Sequence, residues 1–144
     1  MPEVTRTVIV GHTPAELFDL IDAVEAYPEF LPWCSGTTVL HRDEATTRAT
    51  LHIDFHGIRQ SFTTENTKRA PHEITMKLVD GPFRTLDGAW HLTALGGAGC
   101  KIEFHLNYEF SSRLLARLVG PVFDHIAGTL VEAFVRRADQ KNRD

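Results

Sequence analysis

The sequence predicts an α+β fold: a curved, seven-stranded antiparallel sheet wrapped round one long C-terminal helix, with two short helices after the first strand. Three observations carry that reading. Residues 101–110 alternate without a fault, with Ile102, Phe104, Leu106, Tyr108 and Phe110 on one side and Lys101, Glu103, His105, Asn107 and Glu109 on the other. That pattern belongs to a half-buried antiparallel strand with one wet face. Residues 112–140 repeat Leu115, Leu118, Val119, Val122, Phe123, Ile126, Leu130, Val131 and Phe134 at three and four, which makes a helix about 40 Å long. No other segment has enough apolar surface to cover a sheet, so the strands have to curl round that helix.

The elements follow in order. Glu3–Val10 alternates and is rich in Val, Ile and Thr, a strand. Gly11-His12 breaks it. Thr13-Pro14-Ala15-Glu16 then carries three helix-start signals: an N-cap threonine, a proline at the first helical position and a glutamate that completes a capping box. The helix runs to about Val24 and buries Leu17, Leu20, Ile21 and Val24. Pro28 and Pro32 bracket a short helical turn at 29–31. Strands are expected at 37–41, 47–55, 58–68, 73–79 and 85–95. They are separated by the polar turn 42–45, by Gly57, by the turn 69–72, by the loop 80–83 and by Gly96-Gly97-Ala98-Gly99. Within 47–55, Leu51, Ile53 and Phe55 share one face, and Thr50, His52 and Asp54 the other, which His56 extends; in 85–95, Leu86, Trp90 and Leu92 point one way. Gly120-Pro121 falls inside the last helix, where a proline removes a backbone bond, so a bend or short break is expected. With no repeat, low-complexity segment or linker, residues 1–144 read as one domain.

Composition excludes several functions. A chain of 144 residues, 42% hydrophobic and 24% charged, buries roughly 70% of its unfolded surface and needs no staples. No uninterrupted apolar run approaches the ~18 residues of a membrane span. The opening stretch lacks the basic and apolar regions of an export signal. Cys34 and Cys100 lie far apart without metal spacing, so reduced thiols and a cytoplasmic location are expected. The net charge of −4 argues against coating nucleic acid and against a DNA partner. That charge is unevenly placed. Five acids and no Lys or Arg lie between Gly11 and His41, whereas six bases against four acids lie from Ser111 onward. Two solvated helix faces explain this, as does a bipolar surface that guides a partner.

No nucleophile elbow, Walker loop, zinc-protease motif or dinucleotide glycine motif is present. His52, Asp54 and His56 share a strand face, and two such side chains reach far enough to chelate a metal; because Ile53 and Phe55 take the apolar face, a solvated face is favoured and no metal is expected. His91 and His105 alternate out of phase with Trp90 and Phe104, as outer-surface neighbours would. A lone His125 beside core-facing Ile126 reads as packing or surface rather than as a base. No catalytic residues are assigned. A curved sheet gripping a helix leaves a space that is either packed or hollow, and periodicity does not separate the two. Its candidate walls are Trp33, Phe55, Phe62, Phe83, Trp90, Phe104, Tyr108, Phe123, Ile126, Leu130 and Phe134.

Four stretches carry a family resemblance: Tyr27-Pro28-Glu29-Phe30-Leu31-Pro32-Trp33-Cys34, Gly81-Pro82-Phe83-Arg84-Thr85-Leu86-Asp87-Gly88-Ala89-Trp90, Phe110-Ser111-Ser112-Arg113-Leu114-Leu115 and Leu130-Val131-Glu132-Ala133-Phe134-Val135-Arg136-Arg137-Ala138. Together they span essentially the whole chain, which resembles the START-like family of polyketide-cyclase/dehydrase type. Within it the chain is similar to coenzyme Q-binding START proteins and to ribosome-association toxins. The element order is that of their helix-grip (START-like, Bet v 1-like) fold. The resemblance implies a non-enzymatic module with no required cofactor that holds a hydrophobic small molecule, ubiquinone or another isoprenoid lipid, in support of respiration. Arg84 and Tyr108 are then the candidates for polar contacts to the head group. The toxin side of the resemblance implies binding to the large ribosomal subunit and blocked subunit joining, with Arg136 and Arg137 as partner contacts. Membrane contact is expected to be transient at most. Relatives often end in Tyr-Gly, where this chain has Asp139-Gln140-Lys141-Asn142-Arg143-Asp144.

Overall fold

Strand β1 (Glu3–Val10) leads into helix α1 (Pro14–Asp22) and a 3₁₀ helix (Val24–Glu29). Six strands follow: β2 (Cys34–Arg42), β3 (Thr46–Phe55), β4 (Ile58–Arg69), β5 (Glu73–Asp80), β6 (Phe83–Ala94) and β7 (Cys100–Phe110). Helix α2 (Arg113–Lys141) closes the chain. A computed structural model describes residues 3–141; the expected charges of Arg143 and Asp144 lie outside the described residues.

All seven strands form one antiparallel sheet in the order β1-β7-β6-β5-β4-β3-β2. From β2 to β7 every strand pairs with its neighbour in sequence; only β1 reaches across the chain, placing Glu3 opposite Asn107 and Val10 opposite Cys100. The alternation in β7 is borne out residue by residue: Ile102, Phe104, Leu106, Tyr108 and Phe110 are buried and the intervening side chains half-exposed. Central β6 needs glycine at position 88. A Cβ there would lie 2.4 Å from the His105 carbonyl oxygen and 3.0 Å from the Leu106 side chain.

The capping box of α1 forms as expected. The Glu16 amide donates to the Thr13 hydroxyl at 3.2 Å, and the Thr13 amide donates to the Glu16 carboxylate at 3.3 Å. The helix stops two residues before the expected Val24, because Ala23 leaves the helical region at ψ 64°. The second helical segment is Val24–Glu29 rather than 29–31; it turns Val24 and Tyr27 inward. Strand β2 begins three residues early, at Cys34, and irregular register between Val39 and His41 leaves Leu40 exposed. Strand β6 begins at Phe83, inside the expected loop.

Helix α2 runs unbroken through Gly120-Pro121, so no break occurs there. Pro121 has no N–H to give the Arg117 carbonyl, but the turn remains helical. Gly120 faces the Phe110 ring at 3.8 Å from where its Cβ would be. The buried stripe is Val119, Phe123, Ile126, Ala127, Val131, Phe134 and Ala138. Leu118, expected in that stripe, is exposed because it lies past its edge, on the side away from the sheet. An 18-residue window of α2 reaches a mean hydropathy of 1.4, so by length and composition this helix is able to cross a membrane. The sequence reading found no span because it required an uninterrupted apolar run, whereas an average tolerates Arg117 and Asp124.

A buried polar cluster ties α1 to the sheet. The Asp22 carboxylate lies 3.1 Å from the Lys68 ammonium, whose side chain is 5% exposed, and accepts the Thr47 hydroxyl at 2.8 Å. Arg42 donates to the Asp22 carbonyl at 2.8 Å and forks onto Glu25. That hydrogen bonding holds the Glu25 carboxyl below its ordinary range and Arg42 above its own.

Candidate functional site

Two aromatic clusters fill the ends of the space between sheet and helix. One surrounds Phe123, with ring centroids of Tyr108 at 4.7 Å, Phe83 at 4.9 Å, Phe62 at 5.9 Å and Phe110 at 6.1 Å. The other surrounds Phe134, with Phe30 at 5.2 Å and Tyr27 and Trp90 at 5.3 Å; Trp90 packs on Phe104 at 4.5 Å. Phe123 and Phe134 are three turns apart on α2, about 16 Å along its axis. Between the clusters lies a cavity of about 70 Å³.

Eight of the twelve expected cavity residues line it: Trp33, Phe62, Trp90, Phe104, Phe123, Ile126, Leu130 and Phe134. The other four do not. Phe83 and Tyr108 stand behind Phe123 in the first cluster. Phe55 stacks on His125 outside the cavity, at 5.6 Å and 10°. Arg84 points to solvent, its side chain 68% exposed, and pairs with Glu109 at 3.1 Å. Tyr108 donates its hydroxyl to Asp124, tying β7 to α2. Burial first, and that bond second, push its pKa above the ordinary tyrosine value. Neither Arg84 nor Tyr108 lines the cavity.

Sequence reasoning missed the polar part of the lining. Thr64 and Asn66 share the inward face of β4 with Phe62, and the Thr64 hydroxyl donates to the Asn66 side-chain oxygen at 2.9 Å. The Asn66 NH₂ has no partner among the described residues, so it is a free donor on the cavity wall, as are the indole N–H groups of Trp33 and Trp90. Tyr27 also lines the space, but its hydroxyl is used on the Ile21 carbonyl, and burial raises its pKa. The available signal was the strand period itself: positions 62, 64 and 66 share a face, and only the aromatic one was weighed. Leu51, Met76 and Leu130 are half-exposed wall residues.

Of the two expected partner arginines, Arg136 is exposed and Arg137 is engaged. Arg137 donates to Glu29 at 2.6 Å, lies 5.2 Å from the centre of the Phe30 ring, and keeps only 19% of its side chain in solvent. Its Nε is buried with no hydrogen-bond partner among the described residues. Arg137 is thus a clamp between α2 and the end of the 3₁₀ helix, not a free surface cation.

Among the described residues no three His, Cys, Asp or Glu side chains converge on a metal geometry. His52 is hydrogen-bonded to Ser61 at 2.7 Å on the outer face, and His91 stacks on His105 at 6.4 Å. Cys34 and Cys100 are free and buried; burial pushes both thiols up, away from nucleophilic reactivity.

Residues 10–135 match the family model for polyketide cyclase/dehydrase and lipid transport proteins. The chain belongs to this family. Relatives within and around it divide by name. The chain is 42% identical, over 97% of both lengths, to the ribosome association toxin RatA of Vibrio cholerae serotype O1. It is 27% identical to the mitochondrial coenzyme Q-binding protein COQ10 homolog B of Xenopus laevis, over 94% of this chain and 57% of that one. The crystal structure of TTHA0849 from Thermus thermophilus superposes with a TM-score of 0.82 over 97% of this chain and 99% of that one, at 20% identity. That likeness shows the shared fold, a START-type sheet gripping a C-terminal helix.

Proposed function

We propose that this member of the family binds an isoprenoid quinone, or a lipid of similar build, between sheet and helix, without catalysing a reaction on it. The observation that carries the reading is a cavity walled mostly by apolar side chains in which Thr64 and Asn66 form a hydrogen-bonded polar pair. A quinone ring needs few polar contacts; the Asn66 NH₂ suits one ring carbonyl, and apolar walls suit a prenyl tail. The name of the COQ10 relative supports the same chemistry. At about 70 Å³ the cavity has room for about five waters, less than the roughly 300–1,000 Å³ of a ligand site. Binding therefore requires the walls to part. Met76 is the adaptable wall residue, and Leu51 and Leu130 are further half-exposed walls. Burying the tail stabilises the complex by ~25 cal/mol per Å² before ordering costs.

Organic extraction of the purified protein followed by mass spectrometry should yield quinone, and added quinone should be taken up. Asn66→Leu should weaken uptake of the quinone about fivefold to tenfold, the worth of one hydrogen bond, while leaving binding of a ring-free prenyl alcohol unchanged. A protein that is repeatedly empty and takes up no added quinone refutes the reading.

A second reading, association with the large ribosomal subunit in the cytoplasm, is supported by the toxin name of the relative at 42% identity. Its test is the sucrose-gradient profile: excess protein should reduce joined ribosomes, and unchanged subunit joining ends the reading. Charge reversal belongs at Arg136, because reversing Arg137 would break the clamp on Glu29.

A further inference from the structure

We infer that the outer face of the first half of α2 is a docking surface for an anionic lipid bilayer. At 100° per residue, Leu114, Leu118 and Pro121 fall on the side of the helix opposite Val119, Phe123 and Ile126, which face the sheet. Leu114 is 63% exposed and Leu118 54% exposed, and half-exposed Leu115 and Val122 extend the apolar strip along one flank. On the other flank stand Arg113 and Arg117, both exposed. Most arginines of this chain are paired, including Arg42, Arg48, Arg84 and Arg137. Arg113 and Arg117 have no ion-pair partner among the described residues. No acid occurs from 111 to 123, and the next, Asp124, accepts the Tyr108 hydroxyl.

A strip of leucines with arginines along one edge is what lies flat in a headgroup layer, leucines toward the acyl chains and guanidinium groups on phosphates. An RNA backbone would meet the arginines but leave the leucines against charged phosphate. A second copy of this face would bring four unpaired arginines together. The surface also adjoins the cavity. His125, one turn beyond Pro121, stacks on Phe55 of β3, and the wall residues nearest to them along these two elements are Ile126 and Leu51. An apolar cargo therefore meets the bilayer beside the seam between α2 and β3. This last step rests on the quinone reading; the docking surface itself does not.

The experiment is vesicle co-sedimentation with phosphatidylglycerol–phosphatidylcholine and with pure phosphatidylcholine, using wild type, Leu114→Ser/Leu118→Ser and Arg113→Gln/Arg117→Gln. All four sites are exposed, so circular dichroism and the thermal midpoint should stay near wild type. Wild type should bind anionic vesicles more tightly than neutral ones, and less as salt rises. The leucine pair should lower binding at least about tenfold. The arginine pair should lower it about fivefold per arginine and remove most of the salt dependence. Wild type that ignores anionic vesicles, or a leucine pair that binds like wild type, overturns the inference. So does loss of ribosome sedimentation or of a dimer in the leucine pair when wild type ignores vesicles. Binding of a water-soluble short-chain quinone in free solution separates the two readings. If it fails while vesicle binding stands, the quinone reading falls alone. If it holds while vesicle binding fails, only the docking surface falls.

Discussion

Gly88 shows how one residue can be required by the close approach of its neighbouring strand. It stands opposite Met76 on β5 and Leu106 on β7, in the middle of the wall that bears the cavity. The space a methyl would need is taken by the His105 carbonyl oxygen, a backbone atom that does not swing aside. Gly88→Ala should destabilise the fold by about 1–3 kcal/mol, the range for overpacking, read as a lower urea midpoint at unchanged slope. A variant as stable as wild type would mean that β7 relaxes freely there. The same scale marks the limits of the sequence. Aromatic residues are conspicuous, so Trp33, Phe62, Trp90, Phe104, Phe123 and Phe134 were legible as walls. Phe83 and Tyr108 share their periodicity with the true walls, and nothing in period or composition separates a ring at the edge of a cavity from one behind it. Thr64 and Asn66 do not look apolar, and only the phase of β4 betrays them.

Elements were more legible than sites. Strict alternation gave β7 to within a residue, and the Thr13–Glu16 capping signals gave the start of α1, because both are local and depend on neighbours in sequence. The end of α1 was not legible, because the chain leaves the helix at an alanine with no local breaker; the positions of Val24 and Tyr27 suit the sheet they cover. The polar cluster at that end gives a test of how α1 is held. Asp22→Ala leaves Lys68 buried without its counter-charge and should cost about 3 kcal/mol, the low end for breaking a buried pair because Asp22 keeps some contact with water. Asp22→Leu combined with Lys68→Met should recover most of that loss in chemical denaturation. If the double variant is as unstable as the single one, the ion pair is not what the cluster contributes.

At the scale of the whole molecule, the two tyrosines couple folding to alkaline pH. Tyr27 and Tyr108 are the only ones in the chain, and burial raises both above their ordinary pKa. The unfolded chain releases these protons near pH ~10 while the folded chain still holds them. The stability they contribute is fully present below that pH and is lost as pH rises toward the folded values. The urea midpoint should therefore carry no tyrosine-linked loss below about pH 9 and should fall above about pH 10, with tyrosinate absorbance appearing together with unfolding. Tyrosinate absorbance near pH ~10 in a chain that keeps its native dichroism contradicts the burial of both hydroxyls.

The pairing of β1 with β7 has a consequence for how the protein is made. Strand β1 pairs with β7, and β2 to β6 lie between the two in sequence, so β1 leaves the ribosome well before the strand it pairs with. Until then a Val-, Ile- and Thr-rich segment waits with both edges open, while β2 to β6 are able to zip up hairpin by hairpin as they emerge. Closure of the sheet is thus a late, long-range event, of the kind that slows folding and exposes a nascent chain to aggregation. The helix that fills the sheet emerges later still, so the interior of the domain takes shape only after β7 and α2 have both been made.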